Sequence, residues 1–265
     1  MKTKPWEKFE RDCTKHLNSL FKDIKFVGSG GHNSNSSDIQ VFKDKNLLCS
    51  IECKMNLAQC GQFVLFVDEE NKKFIFSKKN KTPFDKYVKA IIDEMERHFS
   101  ICVSSTKELP ISENTIIKWV KNYYLNVKNS KYWISHDRLG NFIIIPTKNI
   151  DKYFSFSAKY RKKISGSTDP SKNNIAELTE LLKHHKINST IEFENSKCFT
   201  KYNCNKEEFI LQGSKYRYQF KKVGNKYNIR RLSNTSNYNF IVSIKLEHPR
   251  QIDTDYKDFE QFLLK

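Results

Sequence analysis

The chain has 265 residues, 38% of them hydrophobic and 29% charged, enough to bury a core without disulfide support. Its 47 lysines and arginines against 30 acids give a formal charge of +17, which excludes an acidic, self-solvating protein and asks for a polyanionic partner. Seven scattered cysteines argue against a paired disulfide framework and a zinc ribbon, and from the charged N-terminus and short apolar runs neither a signal peptide nor a membrane span is expected.

A reducing, cytoplasmic setting is expected, with nucleic acid ahead of a membrane surface or an incidental lysine excess as the source of the charge. In chain order, Trp6, Phe9, Cys13, Leu17 and Leu20 recur at helical spacing, predicting an amphipathic helix over 5–21 with Pro5 in its first turn. A short strand follows at 25–27. Residues 28–37, GSGGHNSNSS, read as a polar loop. Two apolar alternating runs, 38–42 and 47–53, then form an antiparallel hairpin. A second hairpin is expected from 63–67 and 73–77, although 57–66 has a helical alternative.

Two helices are predicted at 84–101 and 113–126, then a hairpin built from YWIS and NFIIIP. Beyond about 155 the pattern changes to short strands around a single helix near 173–186. The expected division is therefore 1–155 as one portion and 156–265 as a second, basic portion packed on it. That basic excess is densest over 151–245, with 19 lysines and arginines against 8 acids.

Chemistry concentrates on the first hairpin. Glu52 and Lys54 are two apart on a strand, so their side chains share one face while Cys53 points to the other. The partner strand brings Asp38 beside them. Two converging carboxylates suit a hard divalent ion such as Mg²⁺, with the main-chain carbonyl of Cys53 as a further donor. A lysine at that spot supplies charge to a phosphate undergoing hydrolysis. An ordinary surface hairpin bearing an Asp, a Glu and a Lys is the plain alternative.

The order SDIQV then IECK, after a Gly/Ser loop and a Glu-bearing helix, resembles the PD-(D/E)xK nucleases, with Ser37 at the proline position. PWEKFE, IECKMNLAQCGQFVL, SKKNK, YRKKISGS and LSNTSNYNFIVSIKL extend the resemblance to the HhaI-like type II restriction endonucleases. The resemblance implies an α/β fold with a mixed central sheet flanked by helices, and a basic C-terminal DNA-recognition portion. It implies Mg²⁺-dependent hydrolysis of duplex DNA at a short GC-only palindrome of the GCGC kind by a monomer. It also implies that Glu10, with Glu7 as runner-up, and Gln62 join Asp38, Glu52 and Lys54. A junction resolvase or repair nuclease, and a catalytically dead DNA-binding relative, are the alternatives.

For DNA contact the basic portion offers Arg161, Lys162 and Lys163 beside Ser165 and Ser167, then Arg230 and Arg231 before Ser233, Asn234 and Thr235. Lysine and arginine neutralise phosphates and read guanine edges; solvated strand charges are the plain alternative. The seven histidines show no metal-ligand spacing, and no P-loop or dinucleotide fingerprint is present, so no nucleotide cofactor is expected.

Overall fold

In the computed structural model, residues 4–29, 37–104, 108–137, 139–164, 167–202, 205–232 and 236–264 are described. The chain forms two units, Met1–Arg161 with Asn239–Lys265, and Lys162–Tyr238. The last stretch thus belongs to the first unit, where the sequence assigns it to the basic portion, and the division falls after 161 and 238 instead of after 155.

The first unit opens with α1 (Pro5–Leu20), β1 (Lys25–Gly28), β2 (Ile39–Lys43), β3 (Asn46–Cys53), β4 (Gln59–Asp68) and β5 (Lys73–Phe76). Next come α2 (Lys86–Arg97), α3 (Phe99–Ser104), α4 (Glu113–Asn122), β6 (Ser130–His136), β7 (Phe142–Pro146) and β8 (Phe154–Ile164). The strand β4 excludes the helical alternative for 57–66. Within the second unit lie β9 (Ser167–Thr168), α5 (Ile175–His184), β10 (Ile191–Glu194), β11 (Lys197–Thr200), β12 (Glu208–Gln212), β13 (Arg217–Val223) and β14 (Lys226–Leu232). The chain returns through β15 (Ser236–Leu246) and ends with α6 (Asp253–Leu264).

A five-stranded sheet ordered β1-β2-β3-β6-β7 carries the site. Its β2–β3 hairpin turns at Asp44 and Lys45, whose φ of 49° and 70° are the left-handed pair that a two-residue hairpin turn needs. The pairing of β3 with β6 is parallel, so the chain must cross over between them, and β4, β5 and α2–α4 occupy that crossover. Phe9, Cys13 and Leu17 of α1 are buried at four-residue spacing with Val41, Ile51, Ile144, Phe259 and Leu263; Trp6 and Leu20 stay exposed. Helix α6 is an addition to the sequence reading, which has one helix after 155. Phe259 and Leu263 carry its buried face, and an acidic first turn with Asp253 and Asp255 suits the helix dipole.

Strands β5-β4-β15-β8 form a four-stranded sheet. Phe63 of β4 stacks on Phe240 of β15 at 4.7 Å and meets Trp119 of α4 edge-on at 5.3 Å. Gly61 makes this approach possible, because a Cβ there would lie 2.6 Å from the Trp119 ring. Helix α4 gives way at Tyr123 to a π-helical turn, Tyr123–Val127, where the sequence predicts a plain helix to 126.

The second unit is a sheet ordered β10-β11-β14-β13-β12, with β9 pairing β14. Leu178, Leu181 and Leu182 of α5 are buried with Tyr218, Phe220, Tyr227 and Ile229. Glu177 ties α5 to the chain before β13, accepting from the amides of Lys215 and Tyr216 and from the Tyr218 hydroxyl. No helix among the described residues is long and apolar enough to cross a membrane.

Candidate active site

Strand β3 ends between antiparallel β2 and parallel β6, with Glu52 opposite Trp133 and Cys53 opposite Ile134. Strand alternation turns Glu52 and Lys54 to one side and sends Cys53 into the core beside Cys13. Asp38, just before β2, is anchored by the Cys53 amide, which donates to Oδ2 at 2.8 Å. Lys54 Nζ then lies 2.7 Å from Glu52 Oε2 and 3.8 Å from Asp38 Oδ2. The structure brings the three predicted residues together.

Glu52 and Lys54 are buried, at 1% and 8% exposure, Asp38 is partly so, and the electrostatics follow from that. Burial lifts the Asp38 carboxyl above its ordinary value, helped by Glu52 and opposed by Lys54. Burial alone would lift Glu52 too, but Lys54 and Lys128 outweigh it and hold that carboxyl low. Lys54 is disfavoured by burial, yet Glu52, Tyr124 and Asp38 raise its ammonium well above the ordinary range. Lys54 is therefore a fixed positive charge at neutral pH.

Lys128 is the residue that sequence reasoning missed. Its Nζ lies 3.0 Å from Glu52 Oε1, so one carboxylate sits between two ammonium groups. The π-helical turn places it there: the Lys128 amide closes that turn on the Tyr123 carbonyl at 3.0 Å. Such turns are rare and collect at functional sites. Tyr124 is shared, its ring 5.3 Å from Lys54 Nζ and 5.5 Å from Lys128 Nζ. Ser37, at the proline position, is bound to Ser130 at 2.6 Å and so joins β2 to β6 beside Glu52.

These side chains line a cavity of about 380 Å³ whose walls include Gln62, Lys79, Asn80, Lys81, Thr82, Tyr123 and Asn239. Gln62 lines this cavity from β4. The rim loop is pinned by Asn80, whose side chain bonds both the amide and the carbonyl of Val64 at 2.7 and 2.9 Å. Among the described residues no three His, Cys, Asp or Glu side chains gather as metal ligands. A cation here would draw on the two carboxylates, the Cys53 carbonyl, water and substrate oxygens, donors that a hard divalent ion accepts.

Glu10 of α1 is half-buried, and its carboxyl is pushed up to about 7 by burial and then by Asp38 and Glu52, against Lys54. The folded protein thus binds this proton more tightly than the unfolded chain, where the ordinary value is 4.5. Glu10 favours folding fully below that ordinary value and loses its contribution as pH rises through about 7. Glu10→Gln is expected to melt higher than wild type at pH 8 in EDTA, the gap closing toward pH 5. Melting curves at the two pH values check this, and equal gaps would mean that Glu10 does not feel the pair.

The chain is similar to HhaI endonuclease, solved in complex with DNA: 30% of residues are identical, the TM-score is 0.76, and the match covers 99% of this chain and 100% of that one. The chain belongs to the HhaI-like type II restriction endonuclease family. No family model and no curated protein matches the sequence.

In this HhaI-like chain the predicted DNA-contact residues are unevenly placed. Arg161 is exposed on β8. The side chains of Lys162 and Lys163, and Ser165, Ser233, Asn234 and Thr235, lie outside the described residues. Arg230 is engaged within its own unit, 2.7 Å from Asp169 Oδ2 and 2.7 Å from the Ser167 carbonyl, with Ser167 Oγ at 3.2 Å. Arg231 stacks over Tyr216 at 4.5 Å. In this arrangement both arginines have partners, and Ser167 serves to hold Arg230.

Proposed function

We propose that this chain is a Mg²⁺-dependent endonuclease of the PD-(D/E)xK class that hydrolyses duplex DNA within a short GC-only palindrome of the GCGC kind, acting as a monomer. The observation that carries this is the convergence of Asp38, Glu52 and Lys54 on one buried, polar-walled spot. Asp38 and Glu52, with the Cys53 carbonyl, would hold the cation, which when bound supplies Lewis-acid charge and an activated water. Lys54 sits against both carboxylates, orients the attacking water and offsets charge that grows on the phosphate. Its raised ammonium argues for position and charge over proton abstraction. The products are 5′-phosphate and 3′-hydroxyl ends.

The test is digestion of a mixed-sequence plasmid in Mg²⁺, with an EDTA control, followed by sequencing of the fragment ends. Discrete fragments with one shared end sequence are expected. Cutting confined to branched DNA would replace this with a structure-selective nuclease, and no breaks at all with a DNA-binding relative.

Charge in the basic segment is expected to set affinity. If Arg161, Lys162 and Lys163 hold phosphates, each alanine replacement weakens binding to every duplex alike and lowers the log-log salt slope by about one unit. A member that reads guanine costs about 1–3 kcal/mol on the cognate duplex and much less on a scrambled one. Arg161, with its planar fork, is the favoured reader. Titrations at several salt concentrations on both duplexes separate the two, and wild-type binding by all three variants would exclude this segment from the interface.

A further inference from the structure

We propose that Lys128 is the resident counter-cation of the candidate site: its ammonium holds Glu52 Oε1 until a divalent cation takes that oxygen, and then withdraws into the cavity. This rests on Asp38 and Glu52 being the metal-holding pair. With both carboxylates ionised, two negative charges meet two ammonium groups, Lys54 on Glu52 Oε2 and Lys128 on Glu52 Oε1. A spot already near neutral gains two positive charges if a divalent ion enters and nothing moves; ionisation of Glu10, which feels the pair from α1, offsets at most one of them, and a low-dielectric interior resists the rest. One ammonium must therefore leave Glu52.

The anchoring of the two lysines decides which. Lys54 directly follows β3, its amide bound to the Ile134 carbonyl at 2.9 Å; its ammonium touches both carboxylates and lies against the rings of Tyr124 and Trp133. Lys128 also lies near the rings of Tyr123 and Tyr124, but it pairs with Glu52 and not with Asp38, and it sits on a bend before Asn129, whose φ is 51°. Withdrawal would take its ammonium off Glu52 while leaving it within the cavity that both lysines line. Until the cation comes, Lys128 keeps a carboxylate that is 1% exposed from standing half-compensated, so the site is assembled before it is loaded.

The experiment is calorimetric titration of Ca²⁺ into full-length, DNA-free wild type, Lys128→Gln and Lys128→Arg, with melting curves with and without Ca²⁺. Gln can still donate to Glu52 but carries no charge, so it separates charge from positioning. Lys128→Gln is expected to bind Ca²⁺ about tenfold or more tightly than wild type, as loss of a competing unit charge requires, and to gain more melting temperature from Ca²⁺. Lys128→Arg is expected to stay near wild type. Unchanged or weaker Ca²⁺ binding by Lys128→Gln, with wild type binding normally, overturns the proposal. Lys128→Met, which keeps an apolar stem against Tyr124, repeats the comparison if the Gln variant does not fold. A wild type that binds no Ca²⁺ and cuts no DNA in Mg²⁺ overturns the metal-holding pair itself, and the proposal with it.

Discussion

Asp38→Asn is expected to abolish detectable cleavage while leaving duplex affinity within a few-fold of wild type. The substitution removes one of two charges that would hold the cation, and replacing a single electrostatic stabiliser of this kind costs about 10²–10³ in rate before any loss of metal occupancy. Asp38 is the cleaner of the two carboxylates to change, because its side chain is 23% exposed against 1% for Glu52. Asn also retains an oxygen able to accept from the Cys53 amide. Glu52→Gln should abolish cleavage too, with a structural cost. It leaves the ammonium groups of Lys54 and Lys128 facing a neutral amide in a buried site, and breaking a buried ion pair from one side costs about 3–5 kcal/mol. The checks are plasmid cleavage in Mg²⁺, gel-shift binding in EDTA and thermal melting. Full activity in Asp38→Asn would remove the pair from the chemistry.

Lys54→Met should lower the cleavage rate by a factor of about 10² or more, with a much smaller change in the Mg²⁺ concentration that gives half-maximal rate. The charge lies at the meeting point of both carboxylates, where under the proposed function it would face the scissile phosphate, and it donates no oxygen to a cation. Its ammonium is raised well above the ordinary range, so deprotonation of Lys54 should contribute no inflection to the rate between pH 6 and 9. Single-turnover rates across a Mg²⁺ series, for wild type and Lys54→Met, measure both quantities. An unchanged rate at saturating Mg²⁺ would return Lys54 to the role of structural counter-ion, and a loss confined to Mg²⁺ affinity would make it a support for the carboxylates alone.

The local part of the site was legible because strand geometry is local. Alternation along β3 puts Glu52 and Lys54 on one face and Cys53 on the other, and a hairpin short enough to close through Asp44 and Lys45 returns Asp38 to them. Helical spacing likewise located α1, while Glu10 on it was singled out by the family resemblance and not by the spacing. The same spacing foresaw α4 but not the widened turn that ends it, since a slip of one residue in a helix leaves no mark in the order of apolar side chains.

Lys128 and the division into units belonged to the tertiary structure. Lys128 is 76 residues from Glu52 and reaches it only because β6 lies parallel to β3 after a long crossover, a pairing that no local pattern encodes. Helix α6 carries a short apolar face among acids, and its place becomes evident only against the partner surface, where Phe259 lies 4.8 Å from the Tyr132 ring and 5.5 Å from Phe21. The return of 239–265 to the first unit has the same origin, as the buried Phe240 finds its stacking partner in Phe63, far back along the chain. Sequence by itself determined which residues of the hairpin converge and on which face of a strand each stands, because those follow from backbone periodicity. Tertiary structure decided which distant charges close around them, because burial and long-range pairing set the electrostatic surroundings of a group that its neighbours in sequence do not.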